Sequence, residues 1–501
     1  MGVIKGQSIR YSIFNAMAIV LGALAILFII PYDKTSYGIV NMVFAAAYLF
    51  SPVIGLGLPL VIIKFYPQFT REENEASYLS FALTITIAIT TLLGVLLSLF
   101  YEEFVSLASY FKLDAEFLNG HKYTIILLAV LLVFNYVIIS FSSLFKKIAI
   151  PELLSNVAYK IAVPLMVLCV YWGIVPQEYL GIGLILFYIV STGAILGYVY
   201  SLRTWKWSLS ISWFTKERVV ALLSFLLQSG IQTLANGLIL RLDILMVGLV
   251  LGSYQAGIYG IILFMTSTLE IASKAISQIS APIIAQKWSE GNIAEIEKIY
   301  AKSAVVLTVI SCFLFLMLYY NFPYIFEIMP NTEYHPDWRW VMVILCVARI
   351  VDLGFSLNGV ILTYSRLMKA NIILLILSGI LYFILLVNLL PHWGMAGAAI
   401  AYLTIILFFN LAKHVLIKIV WKLDPINYNL VKVIFITAIC FAINWLLPPF
   451  GNPFVGVILN SLCIGISYLG LILIIRPSDD IEQLLKNIKA RLIAIINRAS
   501  T

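Results

Sequence analysis

Long apolar blocks constrain this 501-residue chain more than any other feature. Residues 13–31, 124–145 and 372–390 contain no charged side chain. Each is close to the ~20 residues that cross about 30 Å of hydrocarbon as an α-helix. Barrel strands are excluded, because they alternate apolar and polar residues over only about 10 positions. Composition agrees: the chain is 62% hydrophobic and 11% charged, with a mean hydropathy of +1.02. Soluble domains carry about 25% charged residues. The expected fold class is therefore an all-α polytopic membrane protein.

About fourteen spans can be drawn. Those that matter below are span two (37–63), span five (153–174), span seven (219–251), span eight (254–280), span nine (303–322), span ten (339–364), span eleven (370–390) and span twelve (394–416). Span two holds Pro52 and Pro59, so a bent helix is expected there. The first block lacks a small-residue cleavage site and reads as the first membrane helix rather than a signal peptide. The five cysteines and four histidines are scattered singly, without metal or disulfide spacing.

Basic residues give the orientation. With the N-terminus in the cytoplasm, the outer loops hold only Lys34, Lys112, Lys122 and Arg339, and four more basic residues lie inside spans. The other 24 of the 32 Lys and Arg, among them Lys413, fall on the cytoplasmic side. Both ends are expected there. The net charge of +8 faces anionic lipid and calls for no nucleic acid. Two further segments read as amphipathic helices: 288–302 on the cytoplasmic side, and the tail beyond Arg476, either an interfacial helix or a partner-binding segment.

A faint repeat runs through the chain. Gly38 opens span two and Gly257 opens span eight, 219 residues on. Gly183 and Tyr188 are echoed by Gly397 and Tyr402, 214 residues on. The expected organisation is an N-lobe at 1–203, a C-lobe at 204–422, two extra spans at 423–476 and a cytoplasmic tail at 477–501.

Seven ionisable residues fall inside the spans: Lys160, Arg241, Asp243, Glu270, Lys274, Arg349 and Asp352. Each costs roughly 2.5–3.5 kcal/mol at the bilayer centre on insertion scales. Span seven also carries Gln228, Gln232 and Asn236, four apart, which form one stripe. That stripe is either interhelical hydrogen-bond glue or the wall of a water-filled cavity. Arg241 and Asp243 are two apart and face different neighbours, so salt bridges between helices are expected. Glu270 with Lys274, and Arg349 with Asp352, have the spacing to pair within a helix. Lys160 stands alone and either snorkels to the interface or lines the polar route. Lys160, Gln228, Gln232, Asn236, Arg241, Lys274 and Arg349 are thus candidate cavity residues. Asp243, Glu270 and Asp352 are candidate salt-bridge or ion-coupling residues. No catalytic or metal constellation occurs, no Walker motif is present, and no enzyme is expected. A scaffold subunit without substrate is the alternative from another class.

The run RLDILMVGLVLGSYQAGIYGIILF, beginning at Arg241, resembles the Wzx-type polysaccharide and O-antigen flippases of the multidrug/oligosaccharidyl-lipid/polysaccharide exporter superfamily. YGIVNMVFAAAYLFSPVIGLGLP from Tyr37 and WGMAGAAIAYL at 393–403 have the same look. The resemblance implies two six-helix lobes in a V around a central cavity, working by alternating access. It implies transfer of a polyprenyl-diphosphate-linked oligosaccharide, such as a capsule or lipopolysaccharide precursor, from the inner to the outer leaflet of a bacterial inner membrane. Cavity cations would hold the diphosphate, and Asp243 matches the family's span-seven acid. The implied partners are the lipid-linked glycan, membrane lipids, a polysaccharide polymerase and glycosyltransferases. No cofactor is implied, and coupling to a proton or sodium gradient stays open. An ion-coupled multidrug exporter and a lipid II flippase are the alternative readings. The sparse cations of the first lobe (Lys160, Lys64 and Arg10) argue against lipid II, and the two extra spans against a drug exporter.

Overall fold

The computed structural model describes residues 2–72, 75–202, 205–207, 213 and 215–477. The tail expected from 477 onward lies, after its first residue, outside the described residues. In chain order the helices are α1 (Gly2–Phe28), α2 (Lys34–Gly55), α3 (Leu58–Glu72), α4 (Tyr78–Leu99), α5 (Tyr101–Tyr110), α6 (Ala115–Gly120), α7 (Lys122–Leu144), α8 (Ala149–Glu152), α9 (Ala158–Tyr171) and α10 (Leu180–Ser201). Then follow α11 (Lys216–Leu251), α12 (Ser253–Ser267), α13 (Ile271–Ser289), α14 (Ile293–Ile328), α15 (Pro336–Gly354), α16 (Asn358–Tyr364), α17 (Met368–Trp421), α18 (Tyr428–Trp445) and α19 (Pro453–Ile475). No strand occurs among the described residues.

Among the described residues, twelve helical segments are long and apolar enough to span a membrane, thirteen with the bent pair α15–α16. One of them, α17, runs for 54 residues, far beyond a bilayer at 1.5 Å per residue. Gly394 interrupts it at φ 55°, ψ −142°, a conformation open to glycine and strained for any other residue. Counted on both sides of that break, such segments among the described residues number fourteen, and the break falls at the first residue of the expected span twelve. The expected separate helix at 288–302 does not form as such. Asn292 caps a new helix by accepting from the Glu295 amide at 3.2 Å, and that helix continues unbroken to Ile328. Nothing between 293 and 322 breaks a helix, so the amphipathic turns are the first part of a long span.

The chain forms two compact units: Met1–Ile261 with Leu375–Ala398, and Ile262–Leu374 with Ala399–Thr501. These do not follow the chain-order halves, because α11 packs within the first unit.

In the first unit, span two is broken as its prolines foretell. Leu56 takes the left-handed conformation (φ 42°) and Gly57 follows at φ 73°. The break docks on Ser229–Gly230 of α11. A Cβ on Gly230 would meet the Leu56 Cα at 2.9 Å, and the Ser229 hydroxyl lies 2.7 Å from the Phe225 carbonyl and 3.3 Å from that of Leu56. The backbone freed by the break thus meets a side-chain donor, as hydrocarbon requires.

Nearby, α2 and α12 cross at their first turns with no side chain between them. A Cβ on Gly38 would sit 1.8 Å from the Ser253 carbonyl oxygen, and one on Gly257 would sit 2.0 Å from that of Lys34. The contact is reciprocal: Gly38 and Gly257, like Lys34 and Ser253, are 219 residues apart, the period of the sequence repeat. Lys34 itself, assigned to an outer loop, is a buried first residue of α2 and donates to the Pro31 carbonyl at 2.9 Å.

In the second unit, α18 and α19 pack on α14 around Val305, Leu316, Val433, Ile464 and Tyr468. Polar bonds pin the seam. The Tyr468 hydroxyl donates to the Val309 carbonyl at 2.9 Å, Asn321 donates to the Ser461 hydroxyl at 3.0 Å, and Tyr320 donates to the Phe441 carbonyl at 2.5 Å.

Candidate functional site

Arg241 is the centre of the most distinctive polar arrangement in the first unit. It lies on α11, half-buried, and makes no ion pair or hydrogen bond among the described residues. Its guanidinium instead stands 5.3 Å from the Phe44 ring centroid and 5.8 Å from that of Tyr48. Its charge also bears on the hydroxyls of Tyr37, Tyr136, Tyr159 and Tyr188. The rings form one cluster: Phe44 meets Tyr159 at 5.4 Å and Tyr188 at 6.2 Å, and Tyr48 meets Tyr136 edge-on at 6.5 Å. Four helices, α2, α7, α9 and α10, bring these aromatics to one arginine from the fifth.

Among the described residues the expected interhelical salt bridge of Arg241 does not form. Two residues apart on a helix, the side chains point to different neighbours, and no carboxylate waits for Arg241. Asp243 is buried and accepts from the Tyr259 hydroxyl on α12 at 3.1 Å. It is thereby spent within the protein. Lys160 on α9 is half-buried, with its ammonium 5.9 Å from the Tyr159 ring, the same ring that feels Arg241. Gln228 and Asn236 are exposed and Gln232 is half-buried, with no hydrogen bond from any of the three among the described residues. Carboxamides left open on a membrane helix need water or a polar ligand, which favours the cavity-wall alternative over helix glue.

The remaining candidates lie in the second unit, where Arg349 and Asp352 pair differently from their sequence spacing. Arg349 does not pair with Asp352 on its own helix, and Glu270 does not face an empty neighbour. Arg349 donates to Glu270 in a close, mostly buried ion pair. The guanidinium also lies 5.8 Å from the Tyr402 ring. Asp352 accepts from Asn410 at 2.8 Å, and Asn410 in turn accepts from Asn358 at 2.8 Å. Lys274 sits on α13, and its side chain lies outside the described residues. Among the described residues no group of three or more His, Cys, Asp or Glu could hold a metal ion.

Two things escaped the sequence. The sequence did not single out the tyrosines around Arg241, although Tyr37, Asn41, Phe44 and Tyr48 follow the 4-3-4 spacing of one helix face. Lys413, assigned to the cytoplasmic side, is buried inside α17, with its ammonium 3.6 Å from the Phe409 ring.

Comparison with known proteins places this architecture. A profile of polysaccharide biosynthesis proteins matches residues 10–288. The lipid II flippase MurJ in an inward-closed conformation has the same fold, with a TM-score of 0.70 at 15% identity over 93% of this chain and 99% of that one. An inward-facing multidrug resistance MATE transporter of the MOP superfamily follows, at 0.61 and 12% identity, over 81% of this chain and 94% of that one. Its family's outward-facing conformation gives 0.53 at 15% identity, over 84% and 95%. No curated protein matches the sequence. The chain crosses the membrane repeatedly, shares the MurJ and MATE fold, and belongs to the polysaccharide biosynthesis protein family.

Proposed function

We propose that this protein is a flippase that carries a polyprenyl-diphosphate-linked oligosaccharide from the inner to the outer leaflet of a bacterial cytoplasmic membrane. One observation carries the reading: a half-buried guanidinium framed by Phe44 and Tyr48 and, among the described residues, free of any carboxylate. A diphosphate matches the fork of an arginine in charge and geometry. The aromatic faces around it suit the C–H faces of pyranose rings. Lys160 adds a second positive charge beside Tyr159, and Gln228, Gln232 and Asn236 offer donors and acceptors to sugar hydroxyls. Asp243, held by Tyr259, does not compete for the arginine. The family match supports a saccharide cargo.

In the second unit, Arg349 and Lys274 are further candidates for the head group, and Glu270 and Asp352 for coupling to an ion gradient. The proposed transport cycle is one of alternating access.

The test is transport in sealed proteoliposomes loaded with a polyprenyl-diphosphate-linked oligosaccharide. Flipping is read as access of an impermeant lectin to the glycan. The wild type is expected to expose the inner-leaflet pool, and Arg241→Ala to lose that activity while still eluting as a folded species. Full activity in Arg241→Ala, or cationic dye transport in place of glycan transfer, would overturn the reading.

A further inference from the structure

Span five carries a feature that none of the roles above absorbs. Ala149–Tyr171 is long and apolar enough to cross as one helix, yet it does not keep α-helical spacing throughout. Leu153–Val157, between α8 and α9, form a single turn of π-helix, with helical backbone on both sides at Glu152 (φ −63°, ψ −42°) and Ala158 (φ −61°, ψ −37°). Such a turn holds one residue more than an α-turn, is rare, and occurs frequently at functional sites. The Ala158 amide, which in an α-helix would bond to the Leu154 carbonyl, reaches those of Leu153 and Ser155 instead. The Leu154 carbonyl accepts from the Ser191 hydroxyl of α10 at 2.8 Å. A carbonyl displaced from the helix ladder at membrane depth needs such a donor.

Asn135 of α7 ties this turn to its neighbours. Its side chain is fully buried, and both ends of its amide are used. Oδ1 accepts from the Ser155 hydroxyl in the π-turn at 3.2 Å, and Nδ2 donates to the hydroxyls of Thr192 at 3.1 Å and Ser191 at 3.4 Å on α10. The Ser191 hydroxyl thus accepts from Asn135 and donates to Leu154, which closes the network across three helices. Satisfied buried networks rigidify their surroundings and fix one arrangement. Each of the three helices also carries one tyrosine of the Arg241 cluster, close in sequence to its network residue. Tyr136 follows Asn135, Tyr159 stands about one turn beyond Ser155, and Tyr188 about one turn before Ser191. Tyr159 and Tyr188 pack on Phe44, and Tyr136 on Tyr48, the two rings that Arg241 faces.

We propose that Asn135 is a positioning residue: by holding the π-turn of span five against α10, it fixes Tyr136, Tyr159 and Tyr188 in the places they take around Arg241. It acts through the tyrosines rather than on the cargo. The extra residue of the π-turn makes the hold possible, because it gives the Leu154 carbonyl and the Ser155 hydroxyl partners outside their own helix. The inference rests on the reading of the Arg241 cluster as the cargo site and concerns what keeps that cluster in shape.

The experiment measures glycan transfer in sealed proteoliposomes with the impermeant lectin, and the melting temperature of each purified full-length variant, with Arg241→Ala alongside. Asn135→Leu keeps similar bulk and removes the hub, and the freed hydroxyls of Ser155 and Thr192 can fall back on carbonyls of their own helices. Deletion of Ser155 takes one residue out of the π-turn, which then closes to an α-turn and leaves α8 and α9 facing as they do now. Both variants are expected to fold and to melt within about 2 °C of the wild type. Both are expected to transfer glycan more slowly by about ten-fold or more, since a misplacement of about 1 Å at a site is costly. Ser155→Thr keeps the hydroxyl and is expected to transfer at the wild-type rate. Wild-type transfer by folded Asn135→Leu or by the deletion variant overturns the inference, and the Arg241 reading survives it where Arg241→Ala is inactive. Loss of transfer by both network variants with Arg241→Ala fully active overturns that reading instead and keeps the positioning of the tyrosines. A deletion variant that does not fold overturns the inference, as do losses of transfer matched by losses of melting temperature, because the network is then a brace alone.

Discussion

Adding one methyl group to Gly38 tests whether the α2–α12 crossing is as close as it stands. The Cβ of Gly38→Ala would lie 1.8 Å from the Ser253 oxygen. Carbon–oxygen contacts relax near about 3.3 Å, so the helices must part by about 1.5 Å. For Gly257→Ala the same sum starts from 2.0 Å to the Lys34 oxygen and requires about 1.3 Å. A gap of about 1 Å already forfeits up to half of the dispersion attraction along the crossing. Overpacking of this kind costs about 1–3 kcal/mol, and backbone on both sides puts each variant at the upper end. The two clashes are relieved by one and the same separation. The double variant is therefore expected to cost about as much as the worse single one, a shortfall of about 3 kcal/mol from additivity. Equilibrium unfolding of the purified protein in mixed detergent micelles measures all three. Gly94→Ala is the control. Its Cβ would stand 3.6 Å from Val130 in ordinary contact, so it is expected to be neutral or to stabilise by about 0.5–1 kcal/mol. Additive losses, or single variants as stable as the wild type, would refute the reciprocal crossing.

Other expectations follow from the same geometry. Arg241→Ala loses two ring contacts worth about 1 kcal/mol each, yet loses an anion contact of about 4 kcal/mol at an effective dielectric of 20. Transport should therefore fall by at least about 100-fold with only a small change in unfolding free energy. Arg241→Lys should recover part of it, and equal losses of stability and transport would mean a bracing role alone. Glu270→Gln leaves Arg349 charged and unpaired, with an expected cost of about 2–3 kcal/mol, discounted because Glu270 is about one-third exposed. The Glu270→Gln/Arg349→Met double variant should regain part of that stability, and simple additivity in unfolding would exclude the coupling. Outside the membrane, burial pushes the Asp424 carboxyl up, but hydrogen bonds from Lys418 and the Ile426 amide, with the charges of His414 and Lys418, hold it below 3.8. Its folded value is depressed, so its contribution is complete above about pH 4 and disappears as pH falls further. Asp424→Asn should flatten that acid limb of a melting-temperature profile and leave the neutral region unchanged.

The site was half legible. The polar residues of span seven stood out because ionisable groups are rare at membrane depth, and Arg241 remains the centre of the candidate site. Its surroundings did not stand out. Tyr136, Tyr159 and Tyr188 sit on three separate helices, and nothing local distinguishes a tyrosine that meets an arginine from one that meets lipid. The pairing rule misled for the same reason. Arg349 and Asp352 have good helical spacing, yet Arg349 chose Glu270 across a helix boundary and Asp352 chose Asn410. An i,i+4 neighbour competes with every group that packing brings closer. Lys413 shows the converse: counting charges toward the cytoplasm treated as peripheral a lysine that the fold buries.

The sequence by itself determined the helical class, the number of spans once Gly394 and the α15–α16 break are counted, and the kink in span two. These follow from hydrocarbon thickness and from the need to satisfy every backbone group, and both act along the chain. It also marked Gly38 and Gly257 through their 219-residue spacing, without saying why they are glycines. Only the tertiary structure decided that the two face each other, that Asp243 is bound by Tyr259, that Arg241 has rings instead of a carboxylate, and that Lys413 is interior. Those outcomes depend on which helix faces meet, because a buried charge takes its partner from whatever side chains share its space.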